Sequence, residues 1–349
     1  MRISRTGTST TGHGIAVHHH DQWFDLADVP GYAGTNRLSD LLDEARAREL
    51  TAALERHAAT LTPVRPDPDL APTVVDPGAD IWGAGLNYRR HSEDLASAQP
   101  RSGPGSYLRP ANCLIGNGDH IELPTQSQRV TAEAELGLVI KTTCKNVERA
   151  DWRSVVGGVT AVLDMTAEDV IRENPRHIPW AKGFDTFCSV GPVLVTLDEF
   201  DDDDLRALRI ATVRNGETIA AATPADMKFG IDRLVEYFSA GRTLEAGTVI
   251  CTGTPGAAVI HAGDTVRALV QDVGTLTHPV RQQGPADRHE ERFSASHSAH
   301  SAHSAHSAHS AHSAHSAHSA HSAHSAHSAH SAPSAPSAPS APSAPSEGG

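Results

Sequence analysis

The 349-residue chain carries 42 acidic against 29 basic side chains, a formal charge of −13, which disfavours capture of nucleic-acid phosphates or anionic lipid. Aromatic residues make up only 4% of it, and no basic stretch is interleaved with rings on which bases would stack, so the expected partner is a small molecule. No stretch approaches the roughly 18 apolar residues of a membrane span, and Ser, Thr and Gly follow the first arginines where a secretory segment would be apolar; a soluble, cytoplasmic protein is expected.

In chain order, residues 14–17 read as a short strand and 40–61 as an amphipathic helix. Leu41, Leu42, Ala45, Leu50, Ala53 and Leu54 share one stripe of that helix, with Ser39 as its expected N-cap. His18 to His20 read as an ordinary surface triplet. The Pro-rich segment 62–77 reads as a linker, giving a small N-terminal domain over 1–75.

Beyond it the pattern changes to short β-like runs punctuated by Gly, Pro and Asn. Strands are expected at 81–84, 136–141, 159–163, 193–196, 210–214, 248–252 and 265–270, and a helix at 231–240. Asn215-Gly216 marks a hairpin turn. The run Asp201 to Asp204 reads as a solvated loop, and the scattered Cys113, Cys144, Cys188 and Cys251 as buried thiols rather than a disulfide framework. The fold class is α+β and β-rich, with the catalytic domain over 76–283. Residues 284–349 pass into Ser-Ala-His and then Ser-Ala-Pro repeats, which hold nothing apolar larger than proline and are expected to be disordered. The tail's imidazoles suit weak binding of borderline metals, which leaves a non-catalytic metal-binding protein as a distant alternative.

The chemistry concentrates in Val130-Thr-Ala-Glu133-Ala-Glu135-Leu-Gly-Leu-Val-Ile140. Strand alternation places Glu133 and Glu135 on one face and Ala134, Leu136, Leu138 and Ile140 on the other. Two close carboxylates repel, so one holds a proton, faces water, or shares a cation. Asp164 ends a second apolar run, where an acid is costly unless paired; Thr166 and Asp169 resemble a helix cap, which would set Asp164 on a loop. Three carboxylates without Cys or His neighbours favour Mg²⁺, Mn²⁺ or Ca²⁺ over zinc. The same spacing also fits a solvated strand face beside a capping aspartate.

The distributed set Asn87-Tyr88-Arg-Arg-His91, Glu133-x-Glu135, Leu163-Asp164-Met-Thr-Ala, Lys182-Gly-Phe-Asp-Thr-Phe187, Gly191-Pro192, Arg214-Asn-Gly-Glu217 and Thr252-Gly-Thr-Pro255 resembles the fumarylacetoacetate hydrolase family. That family includes acylpyruvate hydrolases, 2-hydroxyhepta-2,4-diene-1,7-dioate isomerase-like proteins and decarboxylases. The resemblance implies a mixed β-roll catalytic domain behind a small N-terminal α/β domain, commonly in homodimers. It further implies a Mg²⁺, Mn²⁺ or Ca²⁺ ion on Glu133, Glu135 and Asp164, a catalytic His91 on a mobile segment, an active-site Lys182, and Thr254 on the Gly-Thr-Pro loop. Tyr88 and Arg109 join Thr254 as expected substrate contacts.

The expected reaction is hydrolysis of a carbon-carbon bond in a 1,3-dicarbonyl or acylpyruvate. The metal chelates and polarises two substrate oxygens, His91 deprotonates a water, and Lys182 helps to stabilise the enolate released. A 2-oxo acid decarboxylase or keto-enol isomerase on the same site is the alternative. Two departures from the family pattern bear on this. The family's glutamate three residues after the histidine is here Asp94, one methylene shorter, and a familiar arginine and glutamine are here Glu168 and Ile171. A substrate carboxylate is then left to Arg172, Arg176 or Arg109.

Overall fold

A computed structural model describes residues 1–7, 14–65, 71–94 and 99–284, with the side chain of Asp94 outside that set. The expectation for the repeat tail therefore lies outside the described residues. The chain opens with β1 (Arg2–Thr6), β2 (Gly14–His19), β3 (Gln22–Asp25), helix α1 (Glu44–His57) and the two-residue β4 (Pro63–Val64). Next come β5 (Ile81–Gly85), α2 (Arg89–Asp94), β6 (Gly105–Arg109), β7 (Leu114–Ile115) and β8 (Ile121–Leu123). The centre holds β9 (Val130–Ile140), α3 (Trp152–Val155), β10 (Val156–Ala167), α4 (Glu168–Glu173), α5 (Ile178–Ala181) and β11 (Cys188–Thr196). After α6 (Asp202–Ala207) the chain forms β12 (Ile210–Arg214), β13 (Glu217–Ala222), α7 (Ile231–Ser239) and β14 (Val249–Cys251). It finishes with β15 (Ala257–Ile260), β16 (Thr265–Val270) and β17 (Gly274–Gln282).

These elements build the β-rich α+β fold. A 12-stranded sheet runs β4-β3-β2-β1-β11-β10-β9-β14-β5-β6, with β7 on β11 and β15 on β9, and a 5-stranded sheet runs β13-β12-β16-β17-β8. β12 and β16 pack on β9, and β16 and β17 on β10. Every residue of β9 and β10 is consequently buried, which explains why both read as nearly continuous small and apolar runs. Both are also far longer than the 136–141 and 159–163 segments expected from sequence, because their remaining positions carry the polar groups of the site.

The apolar core passes residue 75 without a break: Ile3, Val17, Phe24, Leu50 and Leu54 belong to the same cluster as Leu138, Val159 and Leu276. β1 joins the N-terminal strands to β11 through Ile3 opposite Leu194. The segment read as a linker is exposed or half-buried over 62–65 but packed over 71–76, where Ala71, Val74, Val75 and Asp76 are buried. Asp76 fastens it, accepting from Arg5 Nη2 (2.9 Å), Leu38 N (2.7 Å) and Ser39 Oγ (2.7 Å). Ser39 is thereby engaged and does not cap α1. Asp43 does, accepting from the amides of Ala45 and Arg46.

Other local expectations were differently resolved. Asp201 is the N-cap of α6 in a capping box with Asp204, so the acidic run is a helix start, where carboxylates complement the free amides. Asn215 and Gly216 both take positive φ, 51° and 85°, the two-residue turn that joins β12 to β13 with the twist a hairpin needs. Thr166 and Asp169 form no cap. Thr166 lies inside β10, and Asp169 accepts from Ser127 Oγ at 2.6 Å and Gln128 N at 2.7 Å.

Candidate active site

Strand register assembles the acids. β10 runs antiparallel to β9 with Asp164 opposite Glu133 and Val162 opposite Glu135; directly opposed residues share a face, so Asp164 sits within a strand and not on the loop expected for it. One carboxylate oxygen from each of Glu133, Glu135 and Asp164 lies within 4.8 Å of the others. All three are buried, and Asp164 is fully so.

Like charges in such a place need compensation. Lys182 Nζ supplies part of it, donating to Asp164 Oδ1 (2.9 Å), Glu133 Oε2 (3.3 Å) and Thr166 Oγ1 (2.7 Å). Arg109, opposite Ile81 in the β5–β6 pair, directs its guanidinium to Asp164 Oδ1 and to the carbonyls of Lys182, Phe187 (3.0 Å) and Met165 (3.3 Å). The Tyr107 hydroxyl donates to Asp164 Oδ2. Thr131 Oγ1 donates to Glu133 at 3.0 Å, and the Gly253 amide to Glu135 at 2.8 Å.

These surroundings separate the two glutamates. Burial pushes Glu135 up to about 7, against the pull of Lys182 and the Gly253 amide. Burial would also raise Glu133, but Lys182, His91 and the Thr131 hydroxyl outweigh it and hold that group below its ordinary value. Lys182 is itself lowered, chiefly by burial and also by Arg109, against the opposing pull of Glu133 and Glu135.

Glu133 and Glu135 open on a cavity of about 460 Å³ whose walls also include His91, Lys182, Thr254 and Tyr107, within the size range of small-ligand sites; Asp164 is fully buried beside them and off that wall. His91, Lys182 and Thr254, three of the residues singled out in the sequence, line this cavity together. His91, on α2, is buried with Nδ1 lacking a hydrogen-bond partner among the described residues. Asp94 ends the same helix, and its side chain lies outside the described residues. Thr254 Oγ1 donates to the Gly256 carbonyl at 3.1 Å.

The other two expected substrate contacts are placed differently. Arg109 does not line the cavity; it stands behind Asp164, fully engaged with that carboxylate and three carbonyls. Tyr88 is also buried off the cavity wall, bridged to Met227, its hydroxyl without a hydrogen bond among the described residues. Burial, with Glu135 nearby, pushes that phenol well up. Of the remaining arginines Arg176 is exposed and off the wall, whereas Arg172 lines it beside Ile171. Arg172 Nε donates to the buried Glu168 at 2.8 Å, and Arg129 Nε contacts the other oxygen of Glu168 at 2.5 Å. Of the two arginines that engage Glu168, Arg172 alone lines the cavity.

Sequence reasoning missed Tyr107, Thr131 and the Gly253 amide. A signal for Tyr107 existed: it lies opposite Gly83 in the β5–β6 register, and a Cβ on Gly83 would stand 2.1 Å from the Tyr107 ring. Pairing a glycine with a large aromatic across two strands lets the ring lie flat over the sheet toward Asp164, but reading this needs the register. Gly253, with φ +92°, could carry no side chain without meeting the Ala84 carbonyl at 2.7 Å.

Comparison with known proteins follows the same residues. Maleylpyruvate hydrolase of Aquipseudomonas alcaligenes is 32% identical over 265 residues, covering 72% of this chain and 87% of the relative. The crystal structure of 5-carboxymethyl-2-hydroxymuconate delta-isomerase from Mycobacterium smegmatis superposes with a TM-score of 0.62 at 30% identity, over 82% of this chain and all of that one. Maleylpyruvate hydrolase from Sphingobium sp. SYK-6, in complex with manganese(II) and pyruvate, gives a TM-score of 0.65 at 27% identity, over 81% of this chain and all of that one. Residues 80–281, which contain the three acids, His91, Lys182 and the Gly253-Thr254 loop, match the fumarylacetoacetate (FAA) hydrolase C-terminal family, and the chain belongs to the fumarylacetoacetate hydrolase family.

Proposed function

We propose that this enzyme is a divalent-metal-dependent hydrolase that cleaves a carbon-carbon bond in an acylpyruvate or related 1,3-dicarbonyl acid. The observation that carries the reading is the convergence of Glu133, Glu135 and the fully buried Asp164 beside a cavity with the two glutamates, His91 and Lys182 on its wall.

The donor set fits a hard cation. Three carboxylates against Lys182 and Arg109 leave one negative charge, and burial, with Glu133 nearby, raises the proton affinity of Glu135 to about 7. A divalent cation and a substrate carboxylate together would bring the cavity to neutrality. The oxygen-only ligands favour Mg²⁺, Mn²⁺ or Ca²⁺, and the manganese-bound relative supports the same choice. Held by these three residues, such an ion supplies Lewis-acid polarisation of two substrate oxygens.

The chain's own groups then divide the work. His91, on the cavity wall, takes a proton from the attacking water. Lys182 presents an ammonium at the enolate oxygen that develops as the bond breaks. Arg172, on the cavity wall beside Glu168, receives a carboxylate at the substrate's far end. Ile171, Pro175 and Ile178 line that end and exclude water.

The test is turnover of an acylpyruvate panel with Mg²⁺, Mn²⁺ or Ca²⁺, followed by product mass. Products that together exceed the substrate by one water support hydrolysis. No turnover with metal demonstrably bound counts against it. A second reading, a keto-enol isomerase on the same residues, is favoured by the 30% identical isomerase and by the short Asp94; it gives a product of unchanged mass.

A further inference from the structure

A second group of ligating side chains stands on the N-terminal hairpin, independent of the catalytic cavity. His19 and His20 meet Glu55 of α1, with His20 Nε2 3.1 Å and His19 Nε2 3.5 Å from Glu55 Oε1. Neighbouring residues of a regular strand point to opposite faces, and here they do not. His19 pairs with Gln22, so His20 and Asp21 form the two-residue turn between β2 and β3, with φ 46° and 61°. The left-handed backbone at His20 swings its ring back beside that of His19, the two centroids 4.1 Å apart. Both turn positions take the left-handed backbone that a two-residue hairpin turn needs.

An exposed His-Glu ion pair is worth little, and it leaves His19 Nε2 sealed from solvent with no hydrogen bond among the described residues. We propose that His19, His20 and Glu55 form a second metal site, selective for a borderline cation of the Zn²⁺ class and leaving a fourth coordination position open to solvent. Tetrahedral ligands at roughly 2.0–2.1 Å from zinc stand about 3.3 Å from one another, which the separations of 3.1 and 3.5 Å bracket. Two imidazoles and one carboxylate favour Zn²⁺, Co²⁺ or Ni²⁺, whereas the all-oxygen catalytic trio favours a hard ion. Glu55 and His20 are half or more exposed, so a metal reaches them directly. Bound there, it ties the hairpin to α1.

The full-length protein, with Mg²⁺ in excess to occupy the carboxylate trio, is melted with and without Zn²⁺ alongside the variants His20→Ala and Glu55→Gln. Both substitutions are at the surface, and melts without Zn²⁺ confirm that the fold is intact. At a hundredfold excess over the half-saturating concentration, the wild type gains roughly 5 °C or more through binding to the folded state, and the variants lose most of that gain. Zinc bound by histidines elsewhere contributes equally to all three proteins and cancels in the difference. Equal gains in all three overturn the proposal. Co²⁺ gives a second readout: visible absorption of a tetrahedral ion that is stronger in the wild type than in both variants supports the site, and equal absorption in all three proteins overturns it.

Discussion

Glu133 and Asp164 oppose each other across the β9–β10 pair, and the ammonium of Lys182 lies between them, 3.3 Å from the first and 2.9 Å from the second. Opposed carboxylates destabilise a strand pair, so these two acids, with Glu135, carry a cost that a catalytic cation explains. Glu133→Gln keeps the shape and can still accept from Thr131 but removes one charge. It is expected to weaken Mn²⁺ binding by more than about 100-fold, beyond the loss typical of groups that merely support a ligand, and to remove turnover. Calorimetric titration checks this, and wild-type affinity in the variant would take Glu133 out of the ligand set.

Arg109 makes a different prediction, because it acts behind the cavity. Arg109→Met leaves Asp164 buried without its guanidinium partner and frees three carbonyls, and breaking a buried pair from one side costs about 3–5 kcal/mol. At this chain size the melting temperature should fall by roughly 10 °C. Arg109→Lys should not restore it, since one ammonium cannot span the carboxylate and the carbonyls of Lys182, Phe187 and Met165. A loss below about 1 kcal/mol in denaturant unfolding would show that Arg109 is not needed there.

Much of this site was legible from residue order alone. Alternation put Glu133 and Glu135 on one face, and the acid that ends the apolar run 158–163 singled out Asp164, although it was expected on a loop and lies within β10. The strand 210–214 and the Asn215-Gly216 turn were equally direct, since alternation and turn chemistry act over a few residues. Features depending on register or long-range packing were not. Nothing near Asp76 in sequence signals that it fastens Arg5, Leu38 and Ser39 together, and Arg109 resembled a substrate contact because its partners lie 55 or more positions away. Tyr107 was hidden for the same reason, as its role depends on which residue faces Gly83.

That pairing is testable. Gly83→Ala places a methyl carbon against a rigid ring, which must move and release its hydrogen bond to Asp164, at about 1–3 kcal/mol. Tyr107→Ala removes the obstacle. In a double-mutant cycle Gly83→Ala should therefore cost far less in the Tyr107→Ala background, giving a coupling of at least about 1 kcal/mol. Additive effects would mean that the methyl group is accommodated without touching Tyr107.

Arg172 separates binding from chemistry. It lines the cavity and shares Glu168 with Arg129, away from the carboxylate trio. Arg172→Ala is expected to raise KM by about 10-fold or more for substrates with a distal carboxylate, from the loss of a charge-assisted hydrogen bond, with little change in kcat. Substrates ending in an alkyl group should be unaffected. An equal rise in KM for both classes would assign Arg172 a structural role.

His278 predicts how the fold responds to acid. It is fully buried in β17, with Nδ1 2.9 Å from the Asp119 carbonyl and no hydrogen bond to Nε2 among the described residues. Burial lowers its pKa to about 4, against the modest opposing effect of Asp119. A neutral imidazole donates from Nδ1 to that carbonyl, whereas a second proton would put a charge and an unmatched donor in the core. The unfolded chain protonates the same ring near 6.5. Between about 6.5 and 4 the unfolded state therefore binds more protons, and stability falls as pH drops through that window. By pH 4.5 the loss attributable to this residue should be about 2.5 kcal/mol. His278→Gln does not titrate and can still donate to Asp119, so urea unfolding of the variant should lack this component; parallel pH profiles for the two proteins would show that His278 is not the group responsible.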